Sequence, residues 1–268
     1  MGKKEEKGLM EMLSEVIAIF NRWNKKLLRQ PILIFFNLIQ PLVWFLLFTQ
    51  AFSAIGNIPT FQLLTGTSSY ITFFTAAVII QTIASSALNA GIGLVNDFDS
   101  GFMDKMRVAP INKSSILFGR LFSNALTTII QVAIILVIGL ALGVNIASGI
   151  FGVLIIFLLA ALFGIAWSGI SLFVALNTKN AETTLSVGLL TTFPLLFLSA
   201  SVMPIGLLPS WVQQVAQVNP FTYIAEAFQS LIINGFVWQK IEYALIAILI
   251  VGVISLGSSI LLFRRKIS

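Results

Sequence analysis

Long apolar runs alternate with short polar interruptions along this chain, and the run lengths predict most of its elements. The first pattern is periodic: Leu9, Leu13, Val16, Phe20, Trp23 and Leu27 recur at steps of four and three, with Glu11, Glu15, Arg22, Lys25 and Lys26 on other faces. That spacing predicts an amphipathic helix within 9–30, lying in a membrane interface and not across it. Uninterrupted apolar runs then follow at about 32–54, 68–96, 116–143, 150–176, 183–203 and 241–263. A hydrocarbon core of about 30 Å takes roughly 20 apolar residues per helix, and these runs meet that length. A closed outer-membrane barrel would show short alternating segments instead. The expected fold is an all-α integral membrane protein with six transmembrane helices, built as a single domain over 1–268, without internal repeat or domain linker.

Two stretches break the alternation. Residues 204–239 are apolar enough to enter a bilayer but are cut by Pro204, Pro209 and Pro220. The piece from Pro209 to Val218 would reach only about 15 Å, and that from Phe221 to Asn234 about 21 Å. Both are too short to span, so outer re-entrant helices with breaks sheltered by protein are expected before the last span. The link near 55–67 holds Gly56, Pro59 and Gly66 and no charge, which predicts an outer loop.

The second stretch is the polar island DFDSGFMDKMRVAPINKSS, residues 97–115, which carries Asp97, Asp99, Asp104, Lys105, Arg107 and Lys113 between two apolar runs. Gly101 reads as a break and Pro110 as a stop. Between them Phe102, Met103 and Met106 fall on one side of a short helix, and Asp104, Lys105 and Arg107 on another. Asn112 or Ser114 would cap the next span. Spacing alone leaves two readings open: an inert interfacial turn, or a docking knob for a partner.

Composition narrows the chemistry. The chain is 57% hydrophobic and 10% charged over 268 residues, with a mean hydropathy of +0.98, values a soluble domain would not carry on its surface. With neither Cys nor His, thiolate and imidazole chemistry and the usual metal ligands are absent, and no metal site is expected. No G-x-x-x-x-G-K-[ST] loop is present to cradle nucleotide phosphates. Neither a signal peptide nor a transit peptide fits the basic first helix. The net charge of +6 is distributed by topology: bases cluster before the first run, at the island beside Arg120, at Lys179 and at Arg264–Lys266. The positive-inside rule puts these clusters, and both termini, on the cytoplasmic side. No basic face is left over for nucleic acid.

The spans contain no deep acid or base, which disfavours an ion-coupled carrier or pump. Gln81, Ser85 and Asn89 share a face of the second span, and either bond to neighbouring helices or line a substrate path. Thr191, Thr192, Phe193, Pro194 and Phe197 combine a Pro with aromatic surface, either as ordinary packing or as a wall for an amphipathic substrate. Glu226 is the only acid on the outer side before Glu242. It reads as a wet helix face or as an outer gate.

The island with its continuation, DFDSGFMDKMRVAPINKSSILFGRLFSNALTTIIQ, resembles the cytoplasmic signature of type-2 ABC exporter permeases, particularly the daunorubicin-resistance-type branch. The matching positions are Asp97, Asp99, Gly101, Asp104, Arg107, Pro110, Ser114 or Ser115, Gly119 and Arg120. A second segment is similar to the outer pattern of that family through Leu208, Pro209, Trp211, Asn219, Pro220, Tyr223, Glu226 and Ala227. One departure is Gln229, where family members often carry Arg. The resemblance covers almost the whole chain. It implies an interfacial connecting helix, a coupling helix in the island (Asp97, Asp99, Gly101, Asp104, Lys105, Arg107, Pro110 and Arg120), and a type-2 transmembrane domain of the multi-pass cell-membrane kind. It also implies partners: a separate ABC nucleotide-binding ATPase subunit, which would bind ATP and Mg, and a second permease copy in a homo- or heterodimer. The chain itself would bind no cofactor and carry no ATPase site, moving an amphipathic drug, lipid or lipid-linked glycan outward. A channel or ion-coupled carrier, working without ATP, is the competing class, and a membrane-embedded enzyme a third.

Overall fold

The computed structural model describes residues 2–29, 31–108 and 113–267, with some side chains in these ranges, among them those of 2–11 and Arg107, outside the description. Among the described residues every regular element is helical. The first helix, α1 (Gly2–Leu28), packs lengthwise on α6 (Lys113–Ala141). It buries Val16 and Ile19 there and leaves Leu13 and Ile17 exposed. Two side-chain bonds pin the contact: Ser115 Oγ donates to Glu15 Oε2 at 2.7 Å, and Ser123 Oγ to Asn24 Oδ1 at 2.8 Å.

The centre of the bundle is α4 (Tyr70–Asp99), which touches α6, α2 (Pro31–Ala51), α7 (Gly149–Thr178), α8 (Ala181–Phe197) and α10 (Pro220–Gln229). The last helix, α11 (Trp238–Ile267), lies along α7. Among the described residues four helices are long and apolar enough to cross a membrane: α4, α7, Ser114–Ala141 of α6 and Trp238–Phe263 of α11. The apolar stretches Phe35–Ala51 of α2 and Ala181–Phe197 of α8 are shorter.

Lipid tails are as apolar as Leu, so helices in a bilayer associate through close packing and hydrogen bonds, which small residues permit. Here α7 shows that arrangement on both sides. Ser171 Oγ donates to the Ala87 carbonyl of α4 at 2.6 Å, while Ser255 and Ser259 of α11 donate to Ala166 and Gly169 carbonyls, each at 2.6 Å. A polar cluster joins α4, α6 and α7: Thr128 Oγ1 donates to Ser86 Oγ at 2.8 Å, and Asn124 Nδ2 to Ser168 Oγ at 3.1 Å.

The link expected as an outer loop is instead structured. After a 3-10 turn at Ser53–Asn57, α3 spans Pro59–Thr65. The signals read as loop chemistry are its ends: Pro59 opens it, and Gly66, at φ +76°, closes it by donating its N–H to the Gln62 carbonyl at 2.9 Å. Pro is tolerated at the first helical position and Gly favoured just past the last. Fully buried Phe61 anchors α3 edge-on to Phe73 at 5.4 Å.

The run expected at 183–203 stops being helical at Phe197. Beyond it come a 3-10 turn at Ile205–Leu207, α9 (Ser210–Val218), α10, and a π turn at Ser230–Asn234. The π turn is tied down by the link between α6 and α7: the N–H groups of Ala147 and Ser148 donate to the carbonyls of Ile232 and Leu231, at 2.9 and 3.2 Å.

Candidate functional site

The polar island forms an elbow at one end of the bundle. Asp97 and Asp99 close α4, and Ser100 donates its N–H to the Asn96 carbonyl at 3.0 Å to cap it. Gly101 then takes φ +66°, a left-handed conformation that L side chains adopt only with strain, and redirects the chain into α5 (Phe102–Val108). Met103 is 1% exposed and packs, with Phe102 and Met106 beside it, among Ile19, Leu94, Leu117 and Leu121. Asp104, Lys105 and Val108 face outward, Val108 at 86% exposure. The helix thus has an apolar back held in the bundle and an outward front carrying Asp104, Lys105 and Val108. The Arg107 side chain, Pro110 and Asn112 lie outside the described residues; Ser114, the alternative cap, lies inside α6, which begins at Lys113.

The predicted island residues separate into two groups. Asp99, Asp104 and Lys105 are exposed, whereas Asp97 and Arg120 are buried, at 3% and 6% exposure, and paired to one another. Arg120 Nη1 donates to Asp97 Oδ2 at 2.7 Å, and its Nε to the Ala90 carbonyl at 2.7 Å. Charged groups in such an environment face the protein interior and are held by partners. Both side chains are turned inward and tie the end of α4 to α6. Two residues passed over in the sequence complete the arrangement: Arg22 of α1 places its guanidinium 3.4 Å above the ring of Phe102, and Trp23 lies 4.3 Å from the Arg120 guanidinium. Their signal was present, since both sit within the periodic pattern of α1, but their partners lie about 80 to 100 residues along the chain.

Elsewhere in the bundle Gln81 is 3% exposed, and its Oε1 has no hydrogen-bond partner. Ser85 and Asn89 are half-buried. Ser86, one position from that stripe, accepts from Thr128 of α6. Phe193 is half-buried and Phe197 39% exposed, and both rings lean on Trp44 of α2, at 5.5 and 5.7 Å between centroids. Trp44 in turn stacks on Phe48 at 4.8 Å. α2 and α8 thus share an aromatic wall without being neighbours in sequence.

At the far end Glu226, half-buried on α10, lines a cavity of about 200 Å³ with Gln229, Asn234 and Lys240. Gln229 donates through Nε2 to the Ala200 carbonyl at 2.9 Å, tying α10 to the bend after α8. Asn219 does more. Its Nδ2 donates to the carbonyls of Leu195 and Leu198, each at 2.7 Å, and its Oδ1 accepts from the Phe221 N–H at 3.0 Å. One amide therefore closes α8 and opens α10.

The sequence profile of the family described as ABC-2 type transporter matches residues 14–233. The chain belongs to that family. It is 30% identical over 223 residues to the putative transport permease ycf38 of Cyanophora paradoxa, covering 82% of this chain and 74% of that protein. It is 25% identical over 201 residues to the daunorubicin resistance ABC transporter permease protein DrrB1 of Streptomyces coeruleorubidus, covering 75% and 69%. It is 25% identical over 162 residues to the probable doxorubicin resistance ABC transporter permease protein DrrC of Mycobacterium tuberculosis, covering 59% and 58%. As an ABC-2 permease it is a membrane transport protein. The matched stretch includes the elbow, the aromatic wall and the Asn219 cap, and stops one residue short of Asn234.

Proposed function

We propose that this ABC-2 permease is the transmembrane subunit of an exporter driven by ATP hydrolysis on a separate ATPase subunit, and that α5 is the surface the ATPase grips. The observation that carries the reading is the two-sided burial of α5: Met103 locked in the bundle, Asp104 and Lys105 turned to solvent. Closure of the ATPase subunits on ATP would bias a two-state arrangement of the helices by binding one arrangement better. Six spans are proposed, α2, α4, α6, α7, α8 and α11, with both termini and the elbow cytoplasmic and with α3, α9 and α10 on the outer side. The basic clusters around 3–29, 105–120, Lys179 and 264–266 support that orientation.

Two copies of the chain, or this chain and a related one, would enclose the path. The exposed polar groups Asn37 and Gln40 on α2, among exposed Phe36, Val43 and Leu47, support a covered face there. The aromatic wall of Trp44, Phe193 and Phe197 suits an amphipathic substrate, a drug, a lipid or a lipid-linked glycan. The drug-resistance relatives point the same way. Gln81, Ser85 and Asn89 would lie beside that path, and Glu226 would gate its outer end.

Reversing both Lys105 and Arg107 to Glu tests the docking surface. The expected result is a permease that reaches the membrane in normal amount while ATP hydrolysis no longer moves substrate; coupled transport at the full rate would sink the assignment.

A further inference from the structure

The ends of α1, α4, α5 and α6 meet around one guanidinium. Arg120 of α6 lies along α4, bonded at one end to the Ala90 carbonyl and at the other to Asp97, two turns later. Between those acceptors the α4 surface must be low. It is, because the intervening residue is Gly93, and a Cβ there would overlap Arg120 Nη2. The open side is covered by the Trp23 indole of α1, 4.3 Å from the guanidinium carbon. The next residue back, Arg22, stands 5.3 Å from the same indole and 3.4 Å over Phe102, the first residue of α5.

We infer that Trp23 and Gly93 are positioning residues that hold Arg120 against Asp97, and that this socket, with Arg22 on Phe102, makes α1, α4, α5 and α6 move as one body. At Gly101 a Cβ would meet nothing within 4 Å among the described residues, so the corner between α4 and α5 is open on that side. A helix of seven residues leaving such a corner takes its direction from what it packs on, here Met103 in the bundle and Phe102 under Arg22. Arg22 adds a hold on α5 at its first residue, while Arg120 fixes Asp97 in the last turn of α4, on the other side of the corner. Adjacent residues of α1 therefore hold both sides of the same joint. A guanidinium over an aromatic face gains most when water is excluded. Gly93 supplies the depth and Trp23 the cover.

The clamp stands on these contacts alone; its use in transport rests on the reading of α5 as the ATPase contact. Hydrogen exchange of the purified permease in lipid nanodiscs tests the clamp without any partner. Trp23→Leu, which keeps apolar bulk and removes the ring, is expected to speed exchange about tenfold in α5 and in the last turn of α4 together. Trp23→Phe, which keeps an aromatic face, should stay near the parent protein. Gly93→Ala should behave as Trp23→Leu does, and Trp23→Leu carries the test if that variant fails to fold. Faster exchange confined to α1, or Trp23→Phe as fast as Trp23→Leu, overturns the clamp. The same variants are then assayed with the ATPase that copurifies with the permease. Retained hydrolysis with several-fold less substrate moved per ATP extends the clamp to coupling. Unchanged transport beside faster exchange overturns instead the docking role of α5.

Discussion

Asn219 donates from Nδ2 to the Leu198 carbonyl across 2.7 Å, and this bond stands at the point where an expected span ends early. The same nitrogen reaches Leu195, so two carbonyls at the end of α8 are satisfied by a side chain from the start of α10. Helix ends leave such carbonyls without intrahelical partners, and leaving them unpaired in an apolar setting is costly.

Asn219→Ala is therefore expected to destabilise the outer end by roughly 2–4 kcal/mol, the sum of the bonds it makes. The more telling variant is Asn219→Asp. Its carboxylate still accepts from the Phe221 N–H but cannot donate to either carbonyl, so it should be no more stable than Asn219→Ala. Thermal unfolding in detergent measures both, and an Asp variant near wild-type stability would show that only the α10 cap matters.

The Arg120–Asp97 pair gives a second expectation. Removing one partner of a buried pair leaves an uncompensated charge and typically costs about 3–5 kcal/mol. Arg120→Met and Asp97→Leu should each lower the unfolding temperature sharply, and the double variant should be more stable than either single one. Additive losses in the double variant would mean that the two side chains are not held as a pair.

Gln81 offers a way to separate packing from pathway. Its buried Oε1 lacks a partner, so Gln81→Met, of similar shape, should leave stability unchanged or raise it. Transport should fall if Gln81 also touches substrate. A variant that is more stable and transports at the parent rate would assign Gln81 to packing alone.

Glu226 faces its cavity together with Lys240. As an outer gate it should lose transport on Glu226→Gln while the amount of protein in the membrane stays the same. Equal transport by parent and variant, measured in vesicles at matched protein level, would remove it from the path.

The polar cluster of Ser86, Asn124, Thr128 and Ser168 is expected to contribute modestly. Interhelical hydrogen bonds in membranes average about 0.6 kcal/mol, so Thr128→Val should lower stability by about that amount. A loss of several kcal/mol would show that the cluster holds the bundle cooperatively.

The chain pattern alone settles the helical class, the apolar runs, the amphipathic first helix and the division of α5 into Met103 behind and Asp104 and Lys105 in front. These depend on local rules: run length against bilayer thickness, and 3.6-residue periodicity within one helix. It misplaced signals whose meaning depends on the next element. Pro59 and Gly66 bound a helix because Phe61 finds a pocket against Phe73, and the fifth run ends at Phe197 because Asn219 folds back to cap it. Gln81, Ser85 and Asn89 share a helical face, but that Gln81 is buried and Ser86 bonded to Thr128 depends on the rotation of α4, which is set by how α6 and α7 pack on it. That Asp97 and Arg120 are inside while Asp104 and Lys105 are outside comes from the packing of the helices in three dimensions. A row of charges in sequence carries no burial. Burial comes from helices converging in space, here at Gly93 and Trp23, positions that no spacing along one helix could have joined.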